Sequence, residues 1–223
     1  MRHFSVMQLK RGFSVQAEKE YYSRPPVVFP GYRGLLPYLK LLHPNPEVLF
    51  AGKRVLDIGA GECVYTGLIA NELGAARVVA LDLMRDRMLP AKQSLPPLSV
   101  GFVQGSCYNL PFQNQSFDVV FGDLVLHHLP GLAAVISEVR RVLRKPGCYV
   151  GLEPNFFNPA QIISRFFERG SDNEYALWPS LVRKEFRHCG FEDVEVRYVW
   201  RRLPSLHNPL LSSSVAISAR VLA

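Results

Sequence analysis

Val55-Leu56-Asp57-Ile58-Gly59-Ala60-Gly61-Glu62-Cys63 is an apolar run that breaks into two closely spaced glycines and then enters an amphipathic stretch. That order predicts a buried strand, a tight turn and a helix, the opening of a βαβ unit in a parallel sheet. Ligands of such sheets bind beyond the carboxyl ends of the strands. Glycine there lets the backbone approach a ligand, and the following helix N-terminus favours a negative group such as a carboxylate. The same turn also serves strand-to-helix joins that hold nothing, so the next strand matters. It reads Val78-Val79-Ala80-Leu81-Asp82 and ends in a carboxylate 21 positions after Gly61, where the second strand of such a unit offers an acid to a ribose hydroxyl pair. A pyrophosphate ligand is disfavoured: Val64 stands where G-x-G-x-x-G needs its third glycine, which argues against a nicotinamide enzyme.

Working outward, the same alternation continues. Strands are expected at Arg54-Ile58, Val78-Asp82, Val100-Gln104, Val119-Gly122, Cys148-Leu152, Val194-Val199 and Val215-Val221. Helical patterns fall at about 63 to 73, 85 to 94, 131 to 144 and 180 to 189. Lys145-Pro146-Gly147 and Cys189-Gly190-Phe191 read as helix ends followed by a turn into a strand. The expected architecture is α/β, a doubly wound, seven-stranded, mostly parallel sheet. Residues 1–50, rich in proline and aromatic residues, read as an N-terminal helical cap. Residues 51–223 read as the main domain, with 155–178 as an insertion.

Composition fits a soluble globular protein: 48% apolar and 20% charged residues. The net charge of +7 would suit an anionic partner if it lay on one face. The clusters Arg140, Arg141, Arg144 and Lys145, then Arg183, Lys184 and Arg187, then Arg197, Arg201 and Arg202 lie on different elements, so they read as solvated surfaces and helix-end charges, and nucleic acid is not the expected partner. Cys63, Cys107, Cys148 and Cys189 are too far apart for a zinc or dithiol motif, and no metal is expected. No apolar run reaches the roughly 18 residues of a membrane span. A cytoplasmic protein is expected; the basic, acid-free start before Glu18 leaves organellar targeting as the alternative.

Five ordered motifs between about residues 50 and 153 resemble the class I S-adenosylmethionine-dependent methyltransferases, in particular the type 11, ubiquinone-biosynthesis-like branch. They are Asp57-Ile58-Gly59-Ala60-Gly61, Asp82, Asn109-Leu110-Pro111-Phe112 with Ser116-Phe117-Asp118-Val119-Val120, Val125-Leu126-His127-His128-Leu129, and Glu138 through Gly147. The resemblance implies the Rossmann-like methyltransferase fold and S-adenosyl-L-methionine as cofactor. Its amino-acid end would lie over Gly59 and Gly61 in the motif that Asp57 opens, its ribose on Asp82, and its adenine against Leu83, Ser106 and Cys107. Asp123 and Leu124 would pass beneath the methionine moiety. Two positions depart from the pattern: Cys63 replaces the third glycine, and Ser106 replaces the acid that reads the adenine amino group.

Methyl transfer needs a base only if the acceptor must lose a proton. His127, His128 and Glu153 are the candidates, each with a structural alternative: loop packing for the histidines and local turn bonding for Glu153. Asp123 reads either as a favourable charge for a cationic group or as a cap of the following loop. Phe156, Phe157, Phe166, Phe167, Tyr175 and Trp178, with Tyr21, Tyr22, Tyr32 and Tyr38, would line a pocket for a flat or lipophilic acceptor or form a small core of their own. The expected activity is methylation of a small-molecule acceptor at oxygen, nitrogen or carbon. A catalytically silent scaffold is the first alternative, and an RNA or protein methyltransferase the second. Oligomeric state is not legible.

Overall fold

The computed structural model describes residues 36–95, 99–160, 175–200 and 207–223. Tyr21, Tyr22, Tyr32, Phe166, Phe167, Arg201 and Arg202 lie outside the described residues. Seven strands form one sheet: β1 (Arg54–Ile58), β2 (Arg77–Asp82), β3 (Val100–Gln104), β4 (Phe117–Asp123), β5 (Leu143–Pro154), β6 (Asp193–Val199) and β7 (Ser214–Val221). Their order is β3-β2-β1-β4-β5-β7-β6. The first five pair in parallel, and β7 runs antiparallel between β5 and β6. The doubly wound, mostly parallel architecture expected from the alternation is therefore observed, and the chain order reverses between β1 and β4, the crevice where such sheets bind ligands.

Helices cover both faces. On one side α1 (Leu36–Leu39), α2 (Glu47–Phe50) and α3 (Val64–Asn71) bury Leu39, Phe50, Leu68 and Ile69 against Val55, Val119, Phe121 and Val150. Next to them α4 (Arg85–Ser94) sets Met88 and Ala91 on Ala80 and Val100. On the other side α5 (Leu132–Val142) presents Leu132, Val135, Ile136, Val139 and Val142, a stripe of helical period, and α6 (Pro179–His188) adds Val182 and Phe186. Among the described residues no helix is long and apolar enough to cross a membrane.

Several arginines are internal ties and not solvated charges. Arg141 donates to the carbonyls of Leu110 and Phe112 and to Glu138, while Glu138 accepts the Leu110 amide. Arg183 reaches the Val196 carbonyl, and Arg197 the carbonyls of Leu41 and Leu42, holding the end of the α1 segment to β6. One boundary differs from expectation. Lys145-Pro146-Gly147 is an irregularity within β5 and not a turn before it, because Leu143 already pairs with Phe117 and the ladder resumes only at Cys148 opposite Val119. Arg144 fastens this bulge through Asp118 and the Gln115 carbonyl. The expected glycine stop at Gly190 is present, with φ of 84° and its amide on the Arg187 carbonyl.

Tyr149 projects from β5 over two glycines that make room for it: a Cβ on Gly151 would stand 2.6 Å from the phenol oxygen, and one on Gly122 3.0 Å. That oxygen is fully buried and has no hydrogen-bond partner among the described residues. Leaving such a donor unmatched costs about 1 to 3 kcal/mol, so Tyr149→Phe is expected to raise the urea midpoint of unfolding; a clear fall would show that the hydroxyl is satisfied by a buried water.

Candidate active site

The carboxyl ends of β1, β2, β4 and β5 each carry an acid: Asp57, Asp82, Asp123 and Glu153. The centre of the arrangement is Asp82. Its Oδ2 accepts the Gly61 amide at 2.8 Å and its Oδ1 the Met84 amide at 2.8 Å, so one carboxylate clasps the turn after β1 to the turn after β2. The Ala60 amide adds a bond to the Leu81 carbonyl. An ionised carboxylate has about four acceptor directions, so the clasp leaves capacity for a hydroxyl pair.

The glycine turn winds through left-handed backbone at Gly59, Gly61 and Cys63, with φ of 65°, 51° and 59°. Cys63 occupies this conformation at a cost of about 1 to 2 kcal/mol, and its side chain is held in the apolar cluster under α4. Replacement of the third glycine therefore leaves the turn intact. Burial pushes the Cys63 thiol up to about 12, which makes it an inert packing group. The missing Cβ of Gly59 faces Val125 of the loop after β4, not open space; any side chain there would collide with the Val125 methyl. Glycine at this position thus serves the turn and the close approach of the β4 loop. The guanidinium of Arg87 lies beside Gly61 and pairs with Glu62 at 2.7 Å.

Asp57 is buried beneath the turn, not presented from it, and accepts a 2.5 Å bond from the Thr66 hydroxyl at the start of α3. Burial pushes its carboxyl up to about 7; the Thr66 bond opposes the shift and the Asp82 charge adds to it. Asp123 stands at the crevice mouth, and among the described residues no donor reaches its carboxylate, the single one of the four acids of which this is true. Desolvation, then the charges of Glu153 and Asp57, hold it well above the ordinary carboxylate range. Leu124 follows in left-handed backbone, φ 52°, half-exposed, with its amide on the Leu152 carbonyl. Tyr65 of α3 lies close enough to Asp123 for that charge, after burial, to raise its phenol.

Glu153 is only 1% exposed and is occupied by the 3₁₀ turn Leu126–His128. Its Oε1 accepts the amides of Val125 and Leu126, and its Oε2 bonds His127 Nδ1 at 2.7 Å. The register explains the meeting: Asp123 pairs with Leu152, so Glu153 stands beside the chain as it leaves β4. His127 is buried, its ring tilted 41° to that of His128 with ring centres 4.0 Å apart, and the Phe156 ring stands T-shaped to it at 6.3 Å. Phe157 packs on Trp178 and Tyr198 near the same strand ends, and the Tyr175 amide bonds the His127 carbonyl.

Beyond β2 and β3, Leu83 is half-buried and its carbonyl takes the Gln104 amide. Ser106 Oγ accepts the Tyr108 amide, and Cys107 is buried in the core beneath. Gly59, Gly61, Asp82, Asp123 and Leu124 thus all stand at or just beyond the carboxyl ends of β1, β2 and β4, with His127 and Glu153 joined on one side. Thr66, Tyr65 and Arg87 were not legible as site residues. Thr66 and Tyr65 carry a weak signal, since first-turn residues of the helix after a glycine turn face the strand ends, but the pairing of Arg87 with Glu62 across 25 positions has none. Among the described residues no group of three or more histidine, cysteine, aspartate or glutamate side chains is placed to hold a metal ion.

A glycine turn clasped by an acid at the end of β2, under a sheet with an antiparallel seventh strand, defines the class I methyltransferase type of α/β domain. Residues 56–151 match the family model described as a methyltransferase domain. Two curated relatives illustrate the range. The chain is 32% identical over 143 residues to a phthiotriol/phenolphthiotriol dimycocerosates methyltransferase of Mycobacterium leprae, which covers 60% of this chain and 52% of the relative. It is 26% identical over 180 residues to the chloroplastic 2-methyl-6-phytyl-1,4-hydroquinone methyltransferase 1 of Oryza sativa, covering 76% and 51%. The chain thus spans about half the length of these curated relatives. Among solved structures, an S-adenosylmethionine-dependent methyltransferase from Mesorhizobium loti superposes with a TM-score of 0.68 at 18% identity, covering 85% of this chain and 100% of that one. One from Archaeoglobus fulgidus gives 0.67 at 16%, covering 91% and 97%. These likenesses show the fold.

The raised Asp57 carboxyl sets the sign of a pH effect. Between its unfolded value of 3.8 and about 7 the native state holds a proton that the unfolded chain releases, so this group's contribution to stability is lost as pH rises through that window. The urea midpoint of the wild-type protein is expected to fall from about pH 5 to about pH 8, and Asp57→Asn to flatten the fall. Equal slopes in the two proteins would remove Asp57 from the buried position described.

Proposed function

We propose that the chain binds S-adenosyl-L-methionine in this crevice and transfers its methyl group to a small lipophilic acceptor. The observation that carries the reading is Asp123: a carboxylate that no donor reaches among the described residues, in a row of four acids around a glycine turn, calls for a cationic ligand. Desolvated carboxylates of this kind stabilise a positive group much more than they would in water. The bound sulfonium supplies a methyl group for a single in-line displacement, in which alignment provides most of the rate.

In this reading Asp82 receives the ribose hydroxyls while its clasp on Gly61 and Met84 keeps the turn in shape. Gly59 and Gly61 receive the amino-acid end, and Asp57 supports them from below. Leu83, Ser106 and the Cys107 backbone border the adenine, with Ser106 offering only an oxygen already shared with the Tyr108 amide. Asp123 and Leu124 face the methionine portion, and the Tyr65 ring beside Asp123 adds an aromatic face suited to a cation. Residues 51–223 are assigned to the methyltransferase domain; of the expected cap (1–50) and insertion (155–178), residues 1–35 and 161–174 lie outside the described residues.

The lipophilic acceptor draws on two supports. Leu124, Phe157, Trp178, Leu210 and Leu211 are exposed apolar side chains on segments at the carboxyl end of the parallel strands. The relatives' names put phthiotriol and phenolphthiotriol dimycocerosates and a phytyl hydroquinone on the acceptor side. The silent-scaffold reading rests on Cys63 and Ser106, and the first hint weakens, because Cys63 keeps the left-handed turn that glycine would provide.

Calorimetry with S-adenosylmethionine and S-adenosylhomocysteine tests the proposal. The two share their amino-acid end, so comparing them isolates the charge on sulfur. Both are expected to bind at micromolar level, and the affinity of the sulfonium relative to the thioether is expected to rise from about pH 6 to about pH 8 as Asp57 ionises. No binding of either by folded protein would contradict the assignment.

A further inference from the structure

Resting on the methyl-transfer reading above, we propose that the acceptor presents a hydroxyl group and that Glu153 positions His127 to take its proton. The argument starts from the two oxygens of Glu153. Oε1 alone caps the 3₁₀ turn, accepting Val125 and Leu126 amides at 3.2 and 2.8 Å. Oε2 is directed to the His127 ring at 2.7 Å, with the His127 amide a distant second at 3.4 Å. A residue that served only as a turn cap would not need this second bond. No lysine or arginine pairs with Glu153 among the described residues, so its charge is matched by these donors alone, and the bond to the ring is of the charge-assisted kind.

A carboxylate on Nδ1 fixes the tautomer. Nδ1 carries the hydrogen, and the neutral ring has its lone pair on Nε2, at the opposite edge. Nε2 has no partner among the described residues. Of the whole His127 residue, 3% stays exposed. The His128 ring and the edge of Phe156 flank the imidazole and hold its plane. His127 lies four residues after Asp123, beside the Val125 that packs on Gly59, and so borders the crevice assigned to the cofactor.

The step balances as follows. The acceptor O–H bond breaks and its proton goes to His127 Nε2. The electron pair left on the acceptor, at oxygen or at a carbon activated by it, forms the new bond to the methyl carbon. The carbon–sulfur bond of S-adenosylmethionine breaks and its electrons neutralise the sulfonium. The imidazolium, steadied by Glu153, then returns the proton to solvent. Glu153 is a positioning residue in this scheme, and His127 is the group that touches the acceptor. A fully substituted amine, which has no proton to give, would make no use of the pair.

The test uses the full chain with isotope-labelled histidine imidazoles, followed by nitrogen NMR in the complex with S-adenosylhomocysteine. Affinity for that ligand, measured separately, tells a failure of the cofactor reading from a failure of this one. His127 is expected to show a hydrogen on Nδ1 and a bare Nε2, and the Nε2 signal to shift on addition of methylhydroquinone but not of its dimethyl ether. Glu153→Gln is expected to abolish the Nδ1-protonated preference while the wild-type measurement stands on its own should that variant not fold. A hydrogen on Nε2 in the wild-type complex, or the same response to both probes, or none, overturns the proposal.

Discussion

One hydrogen bond organises the ligand-facing end of the sheet: the Gly61 amide on Asp82 Oδ2. A turn with three left-handed residues in five has little reason to hold one shape by itself, because each of those residues gives up conformational freedom and Cys63 is strained as well. The clasp, with its second arm on Met84, fixes that turn against the neighbouring strand end. The position of the turn in turn admits Val125, whose methyl fills the space a Gly59 side chain would need, and so brings the β4 loop over the crevice. His127 of that loop there meets Glu153 of β5. The shape of the site therefore descends from a contact between two adjacent parallel strands.

The acids around the crevice carry an electrostatic cost that the fold meets in different ways. Thr66 shares the burden at Asp57, backbone amides do so at Asp82, and a turn plus an imidazole at Glu153. Asp123 has no such partner among the described residues, and burial, then the charges of Glu153 and Asp57, raise its carboxyl. Neutralisation by a proton and neutralisation by a cationic ligand are alternatives at such a group. In the proposed reading a positive ligand would take the place of that proton as the counter-charge.

The sheet was legible because period and turn chemistry agreed along the chain: Arg54–Ile58 and Val100–Gln104 fall where the apolar runs placed them, and the Gly190 stop is where its left-handed residue stands. The start of β5 was not, since Pro146-Gly147 has the composition of a turn and only pairing with Phe117 makes Leu143 a strand residue. Within the site, the identity of the acids was readable and their employment was not. Asp57 looks like a ligand contact from its place before the glycines, yet its partner is Thr66, nine positions on and packed beneath the turn. His127 and Glu153 could each be singled out at a strand end, but their bond spans 26 positions and exists because β4 and β5 are neighbours in register. Arg141 read as a surface charge for the same reason: its acceptors are carbonyls supplied by a distant loop.

The account's central claim is that the Asp82 clasp makes the cofactor site, and the most direct test is S-adenosylhomocysteine affinity of Asp82→Ala by titration calorimetry. Loss of charge-assisted bonds worth about 1.5 to 3 kcal/mol predicts a fall of about ten- to a hundredfold in a protein that remains folded. Unchanged affinity would contradict it and would move the cofactor away from the end of β2.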